Sequence, residues 1–211
     1  KDFISILDEI NNSKEKFGGS NLGNGNKIQI EFVSAHPTGP LHVGHGRGAA
    51  YGDALARILT KTGSIVEKEY YINDAGRQID ILTASVIIKI VQKDLDNFSP
   101  INTYKGKYIE EIGAAFNKKE IISYKDPKSI IEDLPEDAEE EIDQIISNLK
   151  EKNDVIWDSV KDFSLENILN LIKQDLESFN VNFDYWFRET SLGDLKDSDS
   201  QISKLINKLK K

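Results

Sequence analysis

KIQIEFVSAHPTGPLHVGHGRGAAYGDALARILTKTGSIVEKEYYI, from Lys27 to Ile72, decides how this chain folds. Its first eight residues alternate. Ile28, Ile30 and Phe32 fall on one side, and Gln29, Glu31 and Val33 on the other, which predicts a strand over Lys27–Ser34. A Pro/Gly-rich corner follows and holds all 3 histidines of the chain, His36, His42 and His45. Beyond it, Ala54, Leu55, Ile58 and Leu59 make a helical stripe that Gly63 stops. Ser64–Ile72 reads as a second strand. Strand, glycine-rich turn, helix and strand form a βαβ unit, hence a parallel sheet with a right-handed crossover.

The rest of the chain is arranged around this unit. Phe3, Ile4, Ile6, Leu7 and Ile10 have helical spacing, and Gly18–Asn26 is a Gly/Asn-rich loop. After the NDAG loop at Asn73–Gly76, RQIDILTASVIIKIVQ predicts a long helix, apolar around much of its circumference. KYIEEIGAAF predicts another, within an ambiguous stretch from Asp94 to about Pro127. IIEDLPEDAEEEIDQIISNLKE reads as a helix with a solvated acidic face. WDSVKDFSLENILNLIKQDLESFNV is helical, FDYWFRETSL extended, and DSDSQISKLINKLKK a final amphipathic helix.

These readings divide the chain into a linker helix and loop (1–26), a first Rossmann-like half-domain (27–93), a helical connective insertion (94–180) and a return towards the first half (181–211). The fold class is α/β: the first half of a Rossmann-like parallel-sheet nucleotide-binding domain with a largely helical insertion.

Composition sets bounds. The chain has 211 residues, 38% hydrophobic and 30% charged, with a net charge of −9. So acidic a chain is a poor electrostatic match for nucleic acid as a whole. It has no cysteine, which excludes disulfides and thiolate metal sites. No apolar run approaches the roughly 18 residues that cross a bilayer, and the start lacks a signal-peptide pattern. A cytosolic location is expected. There is no Met, which points to a piece of a longer protein.

The glycines carry the first functional signal. Gly44, Gly46, Gly48 and Gly52 fall in the first turns of the expected helix. Each costs about 0.8–1 kcal/mol against Ala inside a helix. Folding by itself gives no reason for that, whereas close approach of a flat ring or a phosphate to a bare helix start does. The strand delivers the chain to the carboxyl edge of the sheet, where ligands of open parallel sheets bind. His42 and His45, three apart, face one side and are able to donate hydrogen bonds to phosphate oxygens. A zinc site at His36, His42 and His45 is the competing reading. It finds no cysteine and no His-x-x-x-His spacing, so no metal is expected.

HVGH looks like the HIGH signature of class I aminoacyl-tRNA synthetases. IEFVSAHPTGPLHVGHGRGAAYGDALARIL with YYINDAGRQI is similar to the bacterial type of arginyl-tRNA synthetase, closely from Ile30 to Ile79 and more weakly in FDYWFRETSL. The resemblance implies a ligase that activates arginine with Mg-ATP, without a resident cofactor or structural metal, and passes the arginyl group to tRNA. His42 and His45 match the catalytic signature; with Gly44, which leaves room for adenine, and Arg47 they make the ATP site. Glu31 matches the residue that contacts the guanidinium. Ser34 and His36 match positions that hold the rest of the amino acid, and at His36 many relatives carry Asn.

Asn73, Asp74 and Gln78 are placed near arginine or the ribose; a turn and helix cap is the alternative for them. Arg47 either neutralises phosphate or pairs with Asp53. A KMSK-like lysine loop, the second βαβ half and the helical anticodon-binding domain are not in the sequence. The expected partners are therefore arginine, ATP and tRNA-Arg, the last mainly through other domains, with no membrane and a monomeric state. The piece is expected to be inactive alone. A non-catalytic nucleotide- or arginine-binding module and a nucleotidyltransferase sharing only the histidine signature remain as alternatives.

Overall fold

A computed structural model describes residues 3–119, 126–152, 154–194 and 196–210. In chain order the elements are α1 (Phe3–Ser13), β1 (Lys27–Glu31), α2 (Val43–Lys61), β2 (Ile65–Ile72), α3 (Arg77–Val91), α4 (Lys107–Lys119), α5 (Ala138–Lys152), α6 (Asp154–Ser178), β3 (Tyr185–Arg188) and α7 (Gln201–Leu209). Part of the ambiguous stretch, 120–125, and the end of the last expected helix at Lys211 lie outside the described residues. The chain forms two compact units. One comprises Lys1–Ser34, His42–Tyr71 and Phe179–Phe187; the other comprises Ala35–Leu41, Ile72–Ser178 and Arg188–Lys211.

The first unit is built on a sheet of order β1-β2-β3. β1 and β2 are parallel, in register from Lys27 opposite Ile65 to Glu31 opposite Glu69. β1 stops three residues short of the expected strand because the chain turns sharply. Val33 and Ser34 take φ of +66° and +38°, left-handed values that cost a β-branched residue on the order of 1–3 kcal/mol. The turn is held by Ser34 N–H on the Phe32 carbonyl at 2.9 Å and by Tyr71 N–H on Ser34 Oγ at 3.0 Å.

The expected stripe of Ala54, Leu55, Ile58 and Leu59 is not the buried face of α2. That face is Ala49, Gly52, Asp53 and Ala56, while Leu55 and Ile58 are exposed. Small residues are required there because the Phe32 ring lies directly on Gly52: a Cβ at position 52 would stand 2.2 Å from Phe32 Cγ. Asp53 pairs across to Lys68 on β2 at 3.2 Å and also to Arg57. The return segment is fastened by aromatic packing. Phe183 meets Phe32 at 4.5 Å, and Trp186 stacks on the wholly buried Tyr70 at 4.4 Å. Asp184 accepts from Lys68 N–H through its carboxylate and donates its own N–H to the Lys68 carbonyl, seating β3 beside β2.

The second unit is helical. α3 is its centre and packs on α4, α5 and α6. Its apolar circumference is explained by burial: Ile79, Leu82, Val86, Ile87 and Val91 are all in the core. α5 has the expected division, with Ile142, Ile145, Ile146 and Leu149 inward, Glu139 and Glu140 exposed and Glu141 half-buried. Arg77 on α3 spans Glu139 and Asp143 at 2.6 and 2.8 Å, and Lys150 answers Asp80 at 2.8 Å. These pairs use part of the acidic charge inside the unit.

Gly52→Ala tests the close seat of α2. The added Cβ has to displace Phe32, an overpacking cost of typically 1–3 kcal/mol, while the gain in helix propensity is about 0.8–1 kcal/mol. Urea unfolding is expected to show net destabilisation. A variant as stable as the parent would mean that Phe32 does not rest on the helix.

Candidate active site

In the first unit, the turn at Val33–Ser34 sends the chain away, and it returns at His42 to start α2. His42 is the N-cap residue, and its Nδ1 accepts the Gly44 N–H at 3.1 Å. His45, three residues on, accepts the His42 N–H on its own Nδ1 at 3.2 Å. The two rings stack at 3.7 Å with 23° between their planes. This is a reciprocal capping box made of two imidazoles, where Ser or Thr with Glu or Gln is usual.

The cap fixes the tautomer by its hydrogen-bond pattern: a neutral ring that accepts at Nδ1 carries its hydrogen on Nε2. Each histidine thus closes the helix start with one nitrogen and has an N–H donor on the other. The expectation of free backbone donors at the helix start changes accordingly. Gly44 N–H is bound to His42 Nδ1, and His45 N–H to the His42 carbonyl at 2.9 Å. The donors presented to an anion are imidazole Nε2–H groups. Burial, and then electrostatic repulsion from the His42 ring, hold the His45 imidazole below its ordinary value, which favours the neutral form that the cap needs.

The glycines separate into two kinds. A Cβ at Gly44 would lie 2.9 Å from His42 Cε1, so Gly44 makes room for the capping ring itself. A Cβ at Gly46 or Gly48 would meet nothing within 4 Å. Among the described residues no packing contact requires those two glycines. Arg47 is exposed, and the alternative in which it pairs with Asp53 is replaced by the Arg57 and Lys68 pairs.

Glu31 is exposed at the carboxyl end of β1. Since Phe32 faces α2, Glu31 points to the opposite face of the sheet. The parallel register puts Glu69 beside it on that face, with Glu69 Oε2 held by the Gln29 side chain. Two neighbouring carboxylates on one face repel unless a cation joins them. Glu69 was not legible as a site residue, because only the β1–β2 register brings it next to Glu31. Ser34 lies at the same strand end, and its Oγ accepts from Tyr71 N–H, leaving its own hydrogen to donate.

The other expected residues belong to the second unit. His36 is exposed, in a loop fixed at Thr38, whose carbonyl accepts from Tyr108 Oη at 3.1 Å. Asn73 is half-buried and Gln78 exposed. Asp74 is different: its side chain is 1% exposed. Its oxygens accept from Thr190 N–H and Thr190 Oγ1–H, each at 2.9 Å, and lie 3.4 Å from Arg188. Asp74 therefore ties the NDAG loop to the segment after β3. Thr190, Arg188 and Tyr108 are the partners that sequence reasoning missed; their roles depend on contacts 70 or more residues apart. Among the described residues no group of three His, Cys, Asp or Glu side chains is arranged to hold a metal ion.

Residues 6–211 match the family model for the catalytic domain of class I tRNA synthetases (R). The chain is 43% identical over 200 residues to the arginine–tRNA ligase of Thioalkalivibrio sulfidiphilus, covering 90% of this chain and 34% of that protein. It is 41% identical over 207 residues to the arginine–tRNA ligase of Acidithiobacillus ferrooxidans, covering 96% and 36%. A crystal structure assigned as an arginyl-tRNA synthetase from Campylobacter jejuni superposes with a TM-score of 0.68 at 27% identity, covering 98% of this chain and 39% of that one. The chain spans about a third of the length of the curated relatives it matches. It belongs to the class I tRNA synthetase (R) catalytic-domain family.

His45→Ala and His45→Gln separate the two duties of the ring. Loss of the acceptor in His45→Ala is expected to cost about 0.5–2 kcal/mol of stability; Gln at this third helical position restores an acceptor and most of the loss. With the folded-state value lowered, the unfolded chain takes up the proton first. The site's contribution is then complete above about pH 6.5 and declines as pH falls through the folded value. Urea unfolding at pH 7.5 and 5.5 is expected to show that decline reduced in His45→Gln. An unchanged pH dependence would remove His45 as its source.

Proposed function

We propose that this member of the family forms the histidine-signature part of the catalytic domain of an arginine–tRNA ligase. In the reaction, the arginine carboxylate attacks the α-phosphate of ATP, with Mg2+ as the counter-ion of that substrate. Pyrophosphate leaves, and a hydroxyl of the terminal adenosine of tRNA-Arg then takes the arginyl group from the adenylate, releasing AMP. The observation that carries this reading is the imidazole capping box beside two glycines that the fold does not need.

The Nε2–H groups of His42 and His45 are pre-aimed donors for charge that develops at phosphorus; one such donor is worth about 2.7–4 kcal/mol. Because the Nδ1 atoms are tied into the helix cap, the rings are oriented before substrate arrives. Gly46 and Gly48 let the nucleotide lie against the helix without Cβ atoms in between, and Arg47 neutralises phosphate. Glu31, with Glu69 beside it, is the carboxylate surface for the guanidinium, a planar cation suited to charge-assisted pairing. In the first unit the Ser34 hydroxyl is the donor for the amino-acid group; in the second, His36, Asn73 and Gln78 keep the substrate role that the family resemblance gives them, and Asp74 fixes the loop that carries Asn73. The division into linker (1–26), half-domain (27–93), insertion (94–180) and return (181–211) is our proposal for this chain. The enzyme acts in the cytoplasm as a monomer, with tRNA held mainly by regions beyond this chain; among the described residues no helix is long and apolar enough to cross a membrane.

The test is arginine-dependent ATP–pyrophosphate exchange by the full-length protein with tRNA present, with lysine and citrulline as controls. Glu31→Gln removes a charge-assisted bond of about 1.5–3 kcal/mol, so kcat/KM for arginine is expected to fall about 10- to 100-fold. Exchange supported equally by lysine would sink the arginine reading. Exchange without any amino-acid requirement would favour a nucleotidyltransferase.

Gly46→Ala and Gly48→Ala provide a second check. Each is expected to stabilise the fold by about 0.5–1 kcal/mol and to raise the KM for ATP. Stabilised variants with unchanged KM would free these glycines from any part in nucleotide binding.

A further inference from the structure

A cavity of the first unit lies at the other end of α2 from the histidines. It has a volume of about 680 Å³. Its walls are the last two turns of α2, with Arg57, Thr60 and Lys61; the middle of β2, with Val66 and Lys68; and the segment around Lys16. At 1.5 Å per residue, Arg57 is about 20 Å along the helix from its start, so this space is separate from the proposed ATP site.

Its electrostatics are opposite to those of the chain as a whole. In a protein of net charge −9, four cationic side chains line the cavity: Lys16, Arg57, Lys61 and Lys68. Arg57 and Lys68 share a single carboxylate, Asp53. Lys61 Nζ donates to a backbone carbonyl, that of Glu15, and not to a carboxylate. Among the described residues Lys16 has no carboxylate partner. Even with the Glu15 carboxylate and the roughly half negative charge of the α2 carboxyl end counted, the cavity stays positive.

The wall is also fixed in place. Ser20 N–H donates to the Lys61 carbonyl at 3.2 Å, and Gly19 packs so near that a Cβ there would stand 3.0 Å from the Lys16 carbonyl. Thr60 Oγ1 is turned back onto the Ala56 carbonyl, and the Val66 side chain and the aliphatic stems of the lysines supply apolar surface. A concave space in the range of small-molecule sites, apolar in its body and cationic at its edges, suits a ligand with a flat or apolar part and a phosphate.

We propose that this cavity is a second binding site, for a phosphorylated small molecule of mononucleotide size. The site does not depend on the ligase reading, since none of its residues has a part in it.

Lysine footprinting tests it directly. The full-length protein is acetylated briefly with and without ADP, and separately with pyrophosphate, and each lysine is read by mass spectrometry. ADP is expected to lower labelling of Lys16 and Lys61 about tenfold relative to Lys204 and Lys208 on α7. The protection is expected to persist in the double variant His42→Ala/His45→Ala, and Lys16→Gln is expected to raise the ADP concentration needed to protect Lys61 about tenfold. Labelling unchanged by either probe would overturn the proposal. So would protection that disappears in the histidine double variant, since the ligand would then act from the helix start. A short single-stranded RNA that protects the same lysines at lower concentration than ADP would also overturn it, by making the patch part of a nucleic-acid surface.

Discussion

The contact of Phe32 with Gly52 is the constraint from which the rest of the first unit follows. The Phe32 ring fills the space that a Cβ at position 52 would need, so α2 rests directly on this side chain of the strand end. The helix face must then be small, hence Ala49, Gly52 and Ala56, and the larger residues Leu55 and Ile58 are turned outward. The chain leaves β1 immediately after Phe32, through two residues in left-handed conformation. That strain is localised and held by one side chain: Ser34 takes up the Tyr71 N–H at the end of the ladder.

The start of α2 shows how a fold device and a chemical device share atoms. An imidazole has two nitrogens at opposite corners of the ring, so one side chain is able to cap a helix and still present a donor. Two stacked imidazoles do this reciprocally, and both must be neutral to accept at Nδ1. A carboxylate at His45 would satisfy the same backbone donor but present no N–H to a phosphate. A lysine would present the donor but satisfy no backbone group. Histidine at both positions thus combines a rigid cap with an N–H donor on the second ring nitrogen.

In the second unit the comparable anchor is Asp74, a buried carboxylate whose oxygens are taken by Thr190 and approached by Arg188. A buried charge of this kind is tolerated because it is fully hydrogen-bonded. It joins the loop after β2 to the segment after β3 across more than a hundred residues. The acidic α5 is anchored by similar means, through Arg77 and Lys150. Its charge thus serves internal packing as well as solvation.

The sequence by itself determined the βαβ order, the parallel pairing, the helix start at Val43 and the apolar circumference of α3. These follow from local period, from glycine and proline placement and from composition, all of which act within a few residues. It also marked the glycines as costly to folding and singled out His42 and His45 beside them. Tertiary structure decided what those residues do. Gly44 and Gly52 serve the chain's own rings, whereas Gly46 and Gly48 face open space. Glu69 joins Glu31 only through strand register, and Asp74 is occupied only because Thr190 reaches it. Side-chain partners far apart in sequence are set by packing geometry, which no local pattern encodes. For the same reason the small face of α2, and not its leucine-rich one, lies against the sheet.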